Sequence, residues 1–200
     1  MTEHSPIVLE MAGTAAEVRE QRSAVLAWAR AHAIGHRVAA SREAAESLWA
    51  VRRKCSGAMF ELGDAKLNED VVVPRGKLGA LFRLTASLQA RHRLPLACFG
   101  HAGDGNIHVN LLLTPGDDAE RQRAKEAETF LFTRVVALEG SISGEHGIGF
   151  AKAPYLAMEL SVPTIDTMKR SSRERRPTIV RKRSTTSRSG PRGRSAGARR

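Results

Sequence analysis

The chain has 200 residues, 42% of them hydrophobic, which is enough for one domain with a real core. Its formal charge of +11 sits at one end. Residues 169–200 hold 13 Lys/Arg against one acid, while residues 1–168 hold 19 against 20, so the body is nearly neutral and its basic balance names no partner. Two cysteines, Cys55 and Cys98, exclude a disulfide framework, no apolar run approaches the roughly 18 residues of a membrane span, and the start lacks the basic and apolar regions of a signal peptide. The expected setting is a soluble, reducing, cytoplasmic one, with both thiols acting as small hydrophobes.

Pro6 to Met11 is a short apolar run ended by Gly13 and reads as a strand. Thr14 followed by Glu17 is a capping box, and Val18, Val25, Leu26 and Trp28 give a helical face as far as about Ala33. A brief strand is expected over Arg37–Ala40. Ser41 then caps a helix running to about Leu62. Asp70 to Pro74 reads as a strand, and Pro74 suits the first turn of a helix over 75–91.

Leu94–Phe99 and Asn106–Leu113 are expected strands, Asp117–Leu138 a charged amphipathic helix ended by Gly140, and Ala153–Leu160 a short helix. Strands and helices alternate without a Gly-rich phosphate loop, which predicts a mixed α+β arrangement rather than a doubly wound nucleotide fold. The expected division is 1–168 as a folded domain and 169–200 as a disordered Arg/Ser-rich tail. That tail buries too little to offset its ordering entropy, and it offers only nonspecific contact with nucleic acid or another polyanion.

Two clusters concentrate the chemistry. Residues 99–110 read Phe-Gly-His-Ala-Gly-Asp-Gly-Asn-Ile-His-Val-Asn, and residues 143–147 read Ser-Gly-Glu-His-Gly. A two-residue turn at Asp104-Gly105 would set His101 directly opposite His108, with Cβ atoms about 4.5–5.5 Å apart. Two imidazoles so placed can share one ion. Asn110 lies on the same strand face as His108. Taken alone, such a pair of histidines is a weak signal, and a structural hairpin with two half-exposed histidines accounts for the first cluster better. Glu145 adds a carboxylate, completing a two-His, one-carboxylate set with an open position. His146, beside a ligand but not needed as one, is a candidate proton acceptor. Gly144 and Gly147 would allow the backbone to approach a ligand closely.

These two segments resemble the paired signatures of the FAD-linked oxidase C-terminal domain, the family of glycolate oxidase, D-lactate dehydrogenases and D-2-hydroxyglutarate dehydrogenase. The similarity extends through Leu48-Trp49-Ala-Val-Arg52 and Asn68-Glu-Asp-Val-Val-Val-Pro-Arg75 and covers roughly residues 6–170. It implies a ferredoxin-like antiparallel sheet with helices on one face and a helical C-terminal stretch. It also implies oxidation of a D-2-hydroxy acid to the 2-oxo acid, with hydride passing to FAD. On that resemblance His101, His108 and Glu145 hold a zinc-like divalent metal, and His146 takes the substrate hydroxyl proton. Arg52 grips the carboxylate and Asn110 lies near the substrate.

Family members place a flavin-binding domain before this region and a different segment after residue 170. The expectation is therefore that FAD is held mainly by a domain absent here, with the tail an out-of-frame continuation. A separate flavin-binding polypeptide or electron-transfer subunit would complete the enzyme. The competing expectation is an inactive fragment serving as an interaction module, its basic tail on a polyanion.

Overall fold

The computed structural model describes residues 6–174. Residues through Glu159 make one compact unit, and Leu160 opens a second.

In the first unit, α1 (Ala15–His32) begins at the expected capping box, with Thr14 and Glu17 bonding reciprocally. Helix α2 (Arg42–Ala58) starts at Ser41, whose hydroxyl accepts from Ala44 N, and tightens into a 3-10 turn at Met59–Glu61. Strand β1 (Ala65–Val72) follows, then α3 (Leu78–His92), β2 (Leu96–His101), β3 (Asn106–Leu113) and α4 (Asp118–Ala137). A 3-10 turn at Ala153–Tyr155 leads into the single-turn α5 (Leu156–Glu159).

The sheet is antiparallel throughout, in the order β1-β3-β2. Strands β1 and β2 flank β3 and are joined through α3, the split βαβ unit of ferredoxin-like folds. The place of a fourth strand outside β1 is taken by one antiparallel bridge, Val72 to Ser141.

Alternation along β3 decides what each face carries. Ile107, Val109 and Leu111 point into the core, where they meet Val71 and Val73, Leu81 and Leu88 of α3, and Leu131, Phe132 and Val135 of α4. Asn106, His108 and Asn110 point to the opposite face and are buried there as well. A strand buried on both faces and polar on one of them places that polar row at a site rather than in solvent.

Two expected strands are not found. Residues 6–12 and 37–39 form no ladder, and Ile7, Val8 and Leu9 are exposed. An apolar run becomes a strand only where a neighbour can receive its N–H and C=O groups. Strand β1 begins five residues earlier than expected, because β3 is long enough to pair it from Ala65 onward. In the second unit, α6 (Val162–Glu174) crosses the boundary expected at residue 168. The disorder and polyanion expectations for the remainder of the tail lie outside the described residues.

The core face also holds charge. Glu69, Glu128 and Lys152 are at least 92% buried, and Tyr155 Oη donates to Glu128 Oε2 at 2.6 Å. Burial pushes the Glu69 carboxyl up to about 7, with Lys152 opposing the shift and Glu128 adding to it. Between the unfolded value of 4.5 and about 7, the native state keeps a proton that the unfolded chain has released. Stability from this group therefore falls as pH rises through that window. Urea midpoints measured from pH 4.5 to 7.5 are expected to drop with pH, and Glu69→Gln is expected to flatten that slope.

Candidate functional site

The hairpin between β2 and β3 carries the first cluster, and its register differs from expectation. Its tip is the four-residue turn Ala102–Gly105, in which Asp104 N donates to His101 O at 3.0 Å and Gly105 N to Ala102 O at 3.3 Å. Phe99 therefore faces His108, and His101 faces Asn106. The direct opposition of His101 and His108 is corrected to a diagonal one on the same face, a spacing of about 7–8 Å that long side chains still bridge. The cause lies outside the hairpin. Gly105 has φ +75°, its carbonyl accepts from Val73 N at 3.0 Å, and a Cβ there would overlap Val73 O. Docking on the end of β1 selects the longer turn, with glycine in the left-handed region.

The second cluster reaches the first because a buried carboxylate draws it in. Asp70 is 1% exposed and lies opposite His108 in the ladder. Its Oδ2 accepts from Gly144 N at 3.0 Å, Glu145 N at 2.7 Å and His146 N at 2.9 Å, while its Oδ1 accepts from Asn106 Nδ2. Burial alone would raise its pKa. Hydrogen bonds from His146, Asn106, Glu145 and Gly144 outweigh that and hold the carboxyl below its usual range.

Gly144 approaches this clamp so closely that a Cβ would overlap Asn106 Nδ2 and lie 2.7 Å from Asp70 Oδ1. The close approach expected of Gly144 is thus to the protein's own strand. Asp70 is the functional residue that sequence reasoning did not single out. The available signal was an acid running directly into the apolar Val71-Val72-Val73.

The result is a convergent donor set. One ligating atom each from His101, His108 and Glu145 lies within 4.8 Å of the others, and His101 Nε2 stands 3.7 Å from Glu145 Oε1. His108 is 6% exposed. Its Nδ1 sits 3.9 Å from Asp70 Oδ1, too far for a hydrogen bond, so this buried nitrogen has no partner. Burial lowers its pKa, the attraction of Asp70 opposes that, and His146 lowers it further. A ring held neutral near pH 7 is the form that ligates metal.

Donors about 2.1 Å from a tetrahedral ion stand roughly 3.4 Å apart. The set as it stands is wider than that, and two of its three members, His101 and Glu145, are exposed side chains. Two imidazoles, a carboxylate and an exposed side fit a divalent cation with an open coordination position.

The other expected residues surround this set unequally. The His146 ring lies 5.3 Å from that of His108, and its side chain is exposed. Arg52 projects from α2 with its guanidinium 4.8 Å above the Phe99 ring, which lies 5.3 Å from the His108 ring at a tilt of 45°. Arg52 thus joins the site through Phe99. Its neighbour Arg53 pairs with Glu46 instead. Asn110 is fully buried; its Nδ2 donates to Ala97 O and His108 O, and its Oδ1 has no partner.

A cleft of about 520 Å³ beside the hairpin tip is lined by Val72, Pro74, Arg75, Asp104, Ser141 and Glu159, and none of His101, His108 and Glu145 opens into it. The glycines at 100, 105 and 144 have their Cβ positions filled by Asn106 and Val73.

Comparison with known proteins places this arrangement. The family described as FAD linked oxidases, C-terminal domain, matches residues 2–172. The chain is 34% identical over 137 residues to glycolate oxidase subunit GlcD of Bacillus subtilis, covering 68% of this chain and 29% of that protein. It is 31% identical over 173 residues to the mitochondrial D-lactate dehydrogenase [cytochrome] of Arabidopsis thaliana, covering 85% and 30%. With D-2-hydroxyglutarate dehydrogenase of Stutzerimonas stutzeri it shares 32% identity over 133 residues, covering 64% and 28%. The matched stretch spans less than a third of the length of each of these relatives. With both histidine clusters inside the matched region, the chain belongs to the family of FAD linked oxidases, C-terminal domain.

Proposed function

We propose that this chain is the substrate- and metal-binding part of an FAD-dependent oxidoreductase that converts a D-2-hydroxy acid of the glycolate or D-lactate type to the 2-oxo acid. The observation that carries the proposal is the meeting of His101, His108 and Glu145 within 4.8 Å on one face of the sheet. The names of the relatives support the substrate class, since glycolate, D-lactate and D-2-hydroxyglutarate share a hydroxyl next to a carboxylate.

His101, His108 and Glu145 would hold the cation. When bound, the cation supplies polarisation of the substrate hydroxyl and the flavin an electron sink. His146 takes the hydroxyl proton, its exposed imidazole lying one residue from Glu145 and against the ring of His108. Arg52, pre-oriented on Phe99, grips the substrate carboxylate through its planar fork. Asn110 presents a buried acceptor without a partner and lies near the substrate.

FAD binding would fall to a further flavin-binding polypeptide or segment, with an electron-transfer subunit as the next partner. No helix among the described residues is long and apolar enough to cross a membrane, and a cytoplasmic location is part of the proposal.

Zinc titration by calorimetry is expected to show one site per chain. His108→Ala should weaken it by more than the roughly 10–100-fold that loss of an outer-shell partner costs, with the far-ultraviolet spectrum unchanged. Mixing with a flavin-binding polypeptide of the family should then restore flavin bleaching by D-lactate or glycolate, and the His146→Ala variant should not support it. Zinc binding that is indifferent to His101→Ala and His108→Ala would refute the assignment.

A further inference from the structure

The segment bearing Glu145 and His146 is fixed to β1 from both sides of the sheet. On the site face Asp70 holds three of its amides. On the core face stands Lys152, 6% exposed, which donates to Asp70 O at 2.9 Å and Ile142 O at 2.7 Å. Its ammonium lies 3.4 Å from Glu69 Oε2 and 5.4 Å from the centre of the Phe132 ring. A buried lysine is costly unless its charge is balanced and its donors are satisfied. Here two carbonyls take its protons, and the Glu69 carboxyl beside it balances the charge whenever it is ionised.

The choice of carbonyls is informative. Asp70 O lies on the outer edge of the edge strand, next to the bridge in which Val72 and Ser141 exchange both hydrogen bonds, at 3.0 and 2.8 Å. Ile142 O belongs to the first residue past that bridge. Glu69 and Asp70 are consecutive and point to opposite faces, so one dipeptide of β1 holds the ammonium on one side and the loop amides on the other.

We propose that Lys152, with Glu69 as its counter-charge, is a positioning residue for the donor set: by tying Ile142 O to Asp70 O it fixes where Glu145 and His146 stand against the hairpin histidines. The inference rests on the metal assignment above for its functional consequence, but its structural content is independent of that assignment. The Lys152 ammonium meets Asp70 O, Ile142 O, Glu69 and the Phe132 ring, and none of His101, His108 and Glu145. It acts through the backbone of residues 142–146.

Two measurements on the full chain test it. The first needs no metal. Amide hydrogen exchange at Gly144, Glu145 and His146 is expected to be at least tenfold faster in Lys152→Met than in the parent chain, with protection of β3 and α4 unchanged. If Lys152→Met alone does not fold, Glu69→Gln/Lys152→Met removes the unpaired buried carboxylate and serves instead. Unchanged protection of the three amides would overturn the proposal.

The second uses cobalt(II) as a spectroscopic probe of the donor set. Lys152→Met is expected to weaken cobalt binding at least tenfold and to give the visible spectrum of Glu145→Gln. Adding Glu145→Gln to Lys152→Met should cost little more, because the two act on one contact. Fully additive losses would overturn the positioning role. A parent chain that binds no cobalt, or binds it equally well after His101→Ala, would refute the metal assignment and leave the exchange result to decide Lys152.

Discussion

Asp70→Ala is expected to release the Glu145–His146 segment and to destabilise the chain by about 3 kcal/mol or more, the scale of charge-assisted hydrogen bonds lost from a buried acceptor. Three loop amides and Asn106 Nδ2 lose their acceptor at once. Metal affinity should fall at least tenfold, as it does when outer-shell partners are removed.

Asp70→Asn should be milder. An asparagine can keep a carbonyl oxygen toward the loop amides, which turns its NH₂ toward Asn106. The Asn106 amide can then turn over, since its Oδ1 is buried without a partner. Urea unfolding followed by tryptophan fluorescence and circular dichroism measures the stability order, and zinc calorimetry measures the affinity order. The acid limb follows from the same residue. A carboxyl held below its usual range stabilises the chain above that range, and the contribution is lost as pH falls through the folded value. The parent chain should therefore lose stability on acidification more steeply than Asp70→Ala does.

Gly144→Ala is expected to separate the site from the fold. Its new methyl would overlap Asn106 Nδ2 and lie 2.9 Å from Val72 Cγ2. Neither Asp70 nor Asn106 can move without breaking the clamp, so the loop itself must lift away. Overpacking of this kind costs about 1–3 kcal/mol, and here it falls on the residue next to Glu145. Zinc affinity should drop by roughly the 10–100-fold of a lost supporting contact, while the helical and sheet content is retained.

Gly147→Ala is the control. Gly147 has φ +71°, but nothing lies within 4 Å of the place its new methyl would take, so the substitution costs about 1 kcal/mol of backbone strain. It should leave zinc affinity nearly unchanged. Zinc affinities of the two variants that match within a factor of two would show that packing on Asp70 is not what holds the loop.

The contrast between these glycines shows what is legible in the sequence. Residue types that announce chemistry are readable: two histidines around a glycine-rich turn, then a Glu-His pair. The capping box at Thr14 and the cap at Ser41 are readable because each is complete within four residues. The turn length is not, because Asp104-Gly105 fits both a two-residue and a four-residue connection. The contact that selects the longer one comes from Val73, some thirty residues away.

Asp70 reads as the start of a strand, since nothing local reveals that its carboxylate will meet three amides more than seventy residues later. Lys152 sits in a Gly- and Ala-rich stretch and resembles any solvated lysine until the fold places Glu69 beside it. Long-range polar contacts of this kind carry no periodicity, which is why the donors are legible and their supports are not.

X-ray absorption at the zinc edge of the loaded chain reads the atoms bound to the cation. Two imidazoles and one carboxylate oxygen are expected at about 2.0–2.2 Å, with one imidazole lost in His101→Ala and none lost in Gly147→Ala. A shell of oxygens alone, or two imidazoles that persist in His101→Ala, would contradict the metal assignment.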